Sequence, residues 1–388
     1  MLRPRAGATR NILVPTGDLE ILMKYARMPI EVESPEEYGY ANIRYNLSES
    51  SVSDQTFKGL SLAFPDLTLL YGEHRGSEAF RALIAAESPG LGVRDVLMTA
   101  GAAGALFIIA TSLLESGDHL VVVRPNYATN LETPQAIGCR ISHVDLTFET
   151  GFRLDLQAVE SALTPATKLI SVTTPHNPTG VSLTRRDLDG LVRIAERHGC
   201  RLLVDETYRD LSYDEPPPIA AALSTRAISV SSLSKAYGVP GVRMGWIITR
   251  SPELQELFLA AKEQISICGS VTDEWIGLQV MSRRRELLDR TLPEMRARLA
   301  EVETWMAGEP LLEWVKPSGG VVCFPRIKEA AQIDLEDFYR RLLSDHGAYV
   351  GRGRWFEMPD SYFRLGYGWP SATDLTGGLQ AISAALRP

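Results

Sequence analysis

The stretch Ser231-Ser232-Leu233-Ser234-Lys235-Ala236-Tyr237-Gly238-Val239-Pro240-Gly241-Val242-Arg243 stands directly behind the apolar run Ala227-Ile228-Ser229-Val230. That run reads as a buried strand, so one lysine sits where a strand ends and a loop rich in hydroxyls and glycine begins. A lysine that closes a strand is ordinarily a solvated edge charge. Here an arginine follows eight residues later, with Gly238, Pro240 and Gly241 fixing the path between the two. Such a loop can hold an amine under a carbonyl and a guanidinium against a phosphate.

Working outward, short apolar runs alternate with helical patterns. The runs are Val96 to Met98, His119 to Val123, Arg140 to Val144, Lys168 to Val172, Arg201 to Asp205 and, beyond the lysine loop, Met244 to Ile248. Between them, the small-residue turn Thr99 to Gly104 feeds an apolar helix at Ala105 to Leu114, a helix starts near Leu156, and another spans Arg186 to His198. An earlier helix is expected near Ser77, with Ser77 and Glu78 in its first turn. Buried strands alternating with helices predict an α/β fold with a mainly parallel sheet covered on both faces, and ligands at the carboxyl ends of the strands.

After Ser251 the pattern is helical up to about Glu309, and the arginine-rich stretch Ser282 to Arg298 reads as an exposed connecting helix with a solvated arginine face. Alternation returns at Trp314 to Phe324. A helix at Leu335 to His346, strands at Ala348 to Val350 and Tyr362 to Leu365, and a helix at Leu375 to Leu386 complete a smaller α/β domain. The start of the chain has one short helical candidate, Asp18 to Arg27, and reads as an arm or cover. The expected limits are therefore 1–49 for the arm, 50–290 for the large domain and 291–388 for the small one.

A chain of 388 residues with 45% hydrophobic side chains can bury more than one core. The net charge of −8 is spread along the chain, which argues against a nucleic-acid surface. Cys139, Cys200, Cys268 and Cys323 are far apart, so buried thiols in a reducing compartment are expected. No apolar run reaches the length of a membrane span or a signal peptide, which leads to the expectation of a cytoplasmic protein without membrane partners.

The polar residues at the strand ends carry the chemistry. Gly101, Ala102 and Ala103 can turn backbone N–H groups toward an anion at the start of a helix, and Ser232, Ser234 and Arg243 can reach the same anion from a second loop. Tyr127, behind Pro125-Asn126, is either a lid for a flat ring or a core tyrosine. In His176-Asn177-Pro178-Thr179-Gly180, Asn177 can donate toward a phenolate-type oxygen, while His176 packs or caps. Asp205, in Asp205-Glu206-Thr207-Tyr208, is open to three readings: metal ligand, general base, or partner of a ring N–H. No histidine or cysteine cluster near it in sequence supports the metal, so no metal is expected. Paired with a protonated pyridine nitrogen, Asp205 would keep the ring an electron sink, with Tyr208 donating to the ring oxygen beside Asn177. Arg364, alone in the strand Tyr362 to Leu365, suits a bidentate grip on a carboxylate. Tyr71, in Tyr71-Gly72-Glu73-His74-Arg75-Gly76, taken alone is a packed turn aromatic.

Together, the lysine loop, Asn177-Pro178-Thr179-Gly180 and Asp205-Glu206-Thr207-Tyr208 resemble the fold-type I pyridoxal-phosphate enzymes, and within them the class I/II aminotransferase family, from about Asn46 to the C-terminus. The resemblance implies a large domain whose mainly parallel sheet is sandwiched by helices, a smaller C-terminal domain, and pyridoxal 5'-phosphate as cofactor. It implies that Lys235 holds the cofactor as an internal aldimine and, once freed, removes the Cα proton of an amino acid to give a quinonoid. Gly101, Ala102, Ala103, Ser232, Ser234 and Arg243 then serve the phosphate, joined by Tyr71 of the neighbouring subunit of a homodimer with shared active sites. Tyr127 stacks on the pyridine, Asn177 and Tyr208 contact its 3-oxygen, Asp205 its nitrogen, and Arg364 takes the substrate α-carboxylate, with Asn177 also counted among the substrate-binding residues. The implied reaction moves an amino group between an L-amino acid and a 2-oxo acid.

The chain departs from the family pattern at Gly319-Gly320-Val321-Val322, where two aromatics usually follow the glycines. Gly238 to Arg243 and Ile265-Ser266-Ile267-Cys268 resemble a branch that includes capreomycidine synthase and arginine-oxidising enzymes of antibiotic pathways, in which the same intermediate is diverted to elimination, cyclisation or reaction with oxygen. The acidic arm, with Asp18, Glu20, Glu31 and Glu33, either supplies a carboxylate for a guanidinium or amine side chain or is solvated charge.

Overall fold

The computed structural model describes residues 23–387. Two short helices, α1 (Pro29–Val32) and α2 (Pro35–Tyr38), lead into β1 (Tyr45–Asn46), and α3 (Glu78–Ala85) follows. Each of the first two helices begins at a proline, which loses nothing there because the first N–H of a helix has no partner. The expected helix Asp18 to Arg27 begins outside the described residues, as do Asp18 and Glu20; its described part, 23–27, is not helical.

The large sheet is built from β2 (Val96–Ala100), β3 (His119–Arg124), β4 (Arg140–Asp145), β5 (Thr167–Thr173), β6 (Arg201–Asp205), β7 (Ala227–Ser232) and β8 (Met244–Ile248). Helices α4 (Gly101–Leu113), α5 (Thr129–Ile137), α6 (Leu156–Ser161) and α7 (Arg185–His198) connect them. The seven strands lie in the order β2-β8-β7-β6-β5-β3-β4. Every pair is parallel except those made by β8, which runs against both of its neighbours. Because β8 starts at the edge where the others end, Arg243, immediately before it, joins the carboxyl ends of β2, β3, β5, β6 and β7.

Alternate residues of each strand face opposite layers. Val121, Val123, Ile170, Val172, Leu202 and Val204 pack against Leu188 and Leu191 of α7, whereas Leu120, Val122, Leu169, Leu203 and Ile228 meet Leu106 and Ile109 of α4. The ends of α7 are written locally. Thr184 caps its first turn in a reciprocal pair with Asp187, and Gly199 closes it in the left-handed conformation.

After the sheet, α8 (Pro252–Ser266), α9 (Val271–Ser282) and α10 (Arg284–Gly308) carry the chain to the smaller C-terminal domain. That domain contains β9 (Leu312–Glu313), β10 (Val322–Cys323), β11 (Arg326–Ile327), α11 (Leu335–Ser344), β12 (Ala348–Tyr349), β13 (Gly351–Arg352), β14 (Phe363–Gly366) and α12 (Ala372–Ala385). β14 is the centre of an antiparallel sheet flanked by β10 and β13, and β1 adds in parallel to β12. The N-terminal segment is thereby stitched to the C-terminal domain. The α/β architecture expected from the alternating pattern is the one observed.

Two expectations are corrected here. Trp314 to Phe324 is mostly not strand: only β9 just before it and β10 near its end pair, because Pro317 and the glycines interrupt it, Gly320 at φ +74°. The arginine face of Ser282 to Arg298 is not wholly solvated. Arg298 is buried and donates to the carbonyls of Tyr367, Gly368 (2.8 Å) and Pro370, and Arg284 pairs with Glu87 at 2.6 Å and Asp210 at 2.5 Å. Partners this remote leave no trace in the helical period. All four cysteines are free, with Cys200 and Cys323 buried and Cys139 and Cys268 half-buried. Among the described residues no helix is long and apolar enough to cross a membrane.

Candidate active site

A cavity of about 440 Å³ opens at the carboxyl edge of the large sheet, between that edge, β14 and the N-terminal arm. Its floor is set by strand ends. At the end of β6, Asp205 is buried, and its Oδ1 accepts from the Thr207 amide at 3.1 Å and the Thr207 hydroxyl at 2.6 Å. Burial holds this carboxyl above its ordinary range, and the two hydrogen bonds only partly oppose the rise.

Lys235 lies in the turn after β7, and its Nζ donates to Ser50 Oγ at 3.0 Å. Burial pushes the amine below its ordinary range, against the pull of Glu49. The loop is clamped to residues 52–55: the Val52 amide donates to the Lys235 carbonyl, and Gly238, at φ +60°, lies so close that a Cβ would meet Ser53 O at 2.2 Å.

One end of the cavity is a cup for an anion. Ala102 and Ala103 of α4, Ser232, Ser234 and Arg243 line it. Gly101 stands behind the cup and makes room for it, since a Cβ there would lie 2.4 Å from Arg243 Nη2. Gly245 of β8 in turn lets the strand press on the start of α4, where a Cβ would meet Gly101 C at 2.4 Å. Tyr127 lines the slot between cup and floor.

On the other side, Arg364 of β14 is only 5% exposed. Its Nη1 donates to Asn177 Oδ1 at 3.1 Å and its Nη2 to the Ser48 carbonyl at 2.6 Å, and its Nε is buried with no partner. The rings of Phe356 and Trp355 lie 5.2 and 5.7 Å from the guanidinium carbon. Tyr208 also lines the cavity with a buried hydroxyl that has no partner, and burial pushes its pKa up to about 12, so it remains a donor. Two orphaned donors on residues that line one cavity mark it as a place for an acceptor-bearing ligand. Tyr71 lies outside the cavity and is 77% exposed.

His176 is buried, donating from Nε2 to the Pro125 carbonyl at 2.8 Å and accepting from the Thr179 hydroxyl at Nδ1, 2.9 Å. It therefore braces the Asn177 turn and does not face the cavity. Burial lowers its pKa from 6.5 to about 4. Between those values the unfolded chain binds the proton and the folded one does not, so stability held above pH 6.5 is lost as pH falls toward 4. The expected loss from this group approaches about 3 kcal/mol. Urea unfolding at pH 7.5 and at pH 4.5 should show a smaller difference for His176→Gln than for the parent; equal differences would exclude the assignment.

Several lining residues carry no signal in the sequence beyond a polar bend: Ser48, Glu49 and Ser50. Thr207 and Trp355 are likewise legible only in three dimensions. Of the arm's acids, Glu31 and Glu36 line the cavity, while Glu33 points elsewhere, to Arg354 (2.6 Å) and Trp355 Nε1 (2.7 Å).

The family model for aminotransferases of class I and II matches residues 49–382. The chain belongs to that family. It is a fold-type I pyridoxal-phosphate (PLP)-dependent enzyme acting on amino acids. Capreomycidine synthase of Streptomyces vinaceus is 32% identical over 359 residues, 89% of this chain and 91% of that protein. A PLP-dependent aminotransferase from Streptococcus suis has a TM-score of 0.85 at 30% identity, over 92% of this chain and 96% of that one. The PLP-dependent cyclase OrfR has a TM-score of 0.85 at 27% identity, over 94% and 98%. The cavity of this PLP-family enzyme fits the cofactor: an anion cup, a flat slot, a buried carboxylate and an amine stand in one space, with an unpartnered tyrosine hydroxyl beside them.

Proposed function

We propose that this enzyme is an aminotransferase that moves an amino group between an L-amino acid and a 2-oxo acid, with Lys235 as its nucleophile and proton carrier. The observation that carries the reading is the pairing, in one cavity, of a desolvated lysine amine with an arginine whose Nε has no partner. When bound, pyridoxal 5'-phosphate supplies a carbonyl that captures the amino group and a ring that accepts the electron pair left at Cα.

The residues divide the remaining work. Ala102, Ala103, Ser232, Ser234 and Arg243 hold the phosphate, with the start of α4 offering N–H groups. Tyr127 covers the ring, Asn177 and Tyr208 serve its 3-oxygen, and Asp205 holds a proton on its nitrogen. Arg364 takes the α-carboxylate, its unpartnered Nε finding an acceptor, and so sets the Cα–H bond toward Lys235. Burial favours the neutral form of Lys235, which suits its Nζ to taking the Cα proton and returning it.

Tyr71 belongs to an exposed segment that also presents Phe57, Phe64, Leu69 and Leu70. A homodimer that covers this surface would bring Tyr71 to the partner's phosphate cup. The reading includes a cytoplasmic location.

A second reading is an oxidase, cyclase or lyase acting on arginine or a related or β-substituted amino acid in a specialised-metabolite pathway. The similarity to capreomycidine synthase and to a cyclase structure favours it. Both readings share the residues and differ in the step after proton removal. Anaerobic stopped-flow spectra of the holoprotein with single amino acids separate them. Conversion of the cofactor to its amine form, reversed by a 2-oxo acid, supports the transferase. Ammonia release or oxygen uptake without that reversal would replace it with the second reading.

A further inference from the structure

The cavity's charges do not balance once its ligands are assigned. Its cations are Lys235, Arg243 and Arg364. In the proposed function the first is engaged by the cofactor carbonyl, the second by phosphate and the third by the α-carboxylate, while Asp205 is matched by the ring nitrogen. Glu31, Glu36 and Glu49 remain on the cavity wall. Among the described residues none of the three forms an ion pair. Glu49 accepts only from the Tyr40 hydroxyl, at 2.9 Å, and Glu31 from the Met28 amide, at 2.9 Å.

These acids are held in place from outside. Glu33, between α1 and α2, binds Arg354 and Trp355, and its carbonyl accepts from Tyr349 at 2.7 Å. Tyr38 stacks on Tyr349 with ring centroids 5.7 Å apart, and Tyr40 on Trp369 at 5.9 Å. The arm is thus fastened to the C-terminal domain, with Glu31 and Glu36 left facing the cavity. The unpartnered Tyr208 hydroxyl and Arg364 Nε, each on a residue at most 5% exposed, mark the cavity as a ligand site; the proposed function gives them to the cofactor and the α-carboxylate, so a substrate held at Arg364 shares its space with the three acids. Ile30, Pro35 and Trp355 add apolar surface that suits the methylene stem of a long side chain.

We propose that Glu31, Glu36 and Glu49 form a subsite for a positively charged group, a guanidinium or an ammonium, at the far end of the amino-acid side chain. The inference rests on the proposed function, because it places the α-carboxylate at Arg364. It holds for transamination and for the second reading alike.

The test titrates the absorbance of the holoprotein with two near-isosteric pairs, arginine against citrulline and lysine against norleucine. The cationic member of at least one pair should bind roughly ten- to a hundredfold more tightly. Glu36→Gln and Glu49→Gln should each cut that preference by about tenfold, with melting temperature and cofactor absorbance reporting that the variants are folded and loaded. Equal affinity within both pairs, or a preference unchanged in both variants, overturns the subsite and leaves the proposed function standing. No spectral response to any of the four overturns the subsite alone, because the proposed function is judged by the response to the wider range of single amino acids.

Discussion

Lys235→Ala is expected to lower turnover by roughly a thousandfold or more, since a positioned proton carrier alone contributes about 10²–10⁴-fold. The structure explains why no neighbour can substitute. Nζ is placed by the turn after β7 and held by Ser50, and the nearby acid, Glu49, is engaged by Tyr40. The side chain's burial pushes its amine toward the neutral form, so removing it relieves a desolvated charge and should not unfold the protein. The chemical signature is more specific than the rate. Borohydride reduction of the parent holoprotein should leave the cofactor covalently attached at residue 235, seen by peptide mass, and the variant should show no adduct. An adduct at another lysine would remove Lys235 from the mechanism.

Arg364→Lys should reduce kcat/KM by roughly a hundred- to a thousandfold, in keeping with about 2–5 kcal/mol for truncating one side of a buried, hydrogen-bonded charge pair. A lysine keeps the charge but not the fork. Its three N–H donors sit on one nitrogen, which does not span Asn177 Oδ1, the Ser48 carbonyl and a carboxylate as the three separate nitrogens of a guanidinium can. Most of the loss should appear in substrate affinity, read from absorbance titration with the amino acid that the parent enzyme uses best. A loss below about tenfold would mean that the α-carboxylate is bound elsewhere. Burial lowers the pKa of Arg364 itself, which fits a cation arranged to receive an anion.

Much of the frame was legible because its signals are local. Every strand of the large sheet except β4 carries a mostly apolar run whose burial follows from hydrophobicity; Asp205 ends one such strand, and Lys235 and Asn177 follow one by three and four residues. Parallel strands share a carboxyl edge, so these residues had to converge even though the chain separates them widely. Helix ends such as Thr184 to Asp187 and Gly199 were likewise written within a few residues.

The walls of the cavity were not legible in this way. The amine of Lys235 meets Ser50, 185 residues away, and Arg364 meets Ser48 at a separation of 316. Glu33 reads as a possible substrate contact, yet its carboxylate is taken up by Arg354, 321 residues on, whereas Glu36 and Glu49, which no local pattern marks, face the cavity. Arg298 reads as a solvated charge and is buried against the carbonyls of residues 367, 368 and 370. A local pattern records which residues prefer to leave water and where a helix or strand can start and stop. Which polar group a buried charge finds depends on docking the arm and the C-terminal domain against the sheet edge, and that choice belongs to long-range packing with no period of its own.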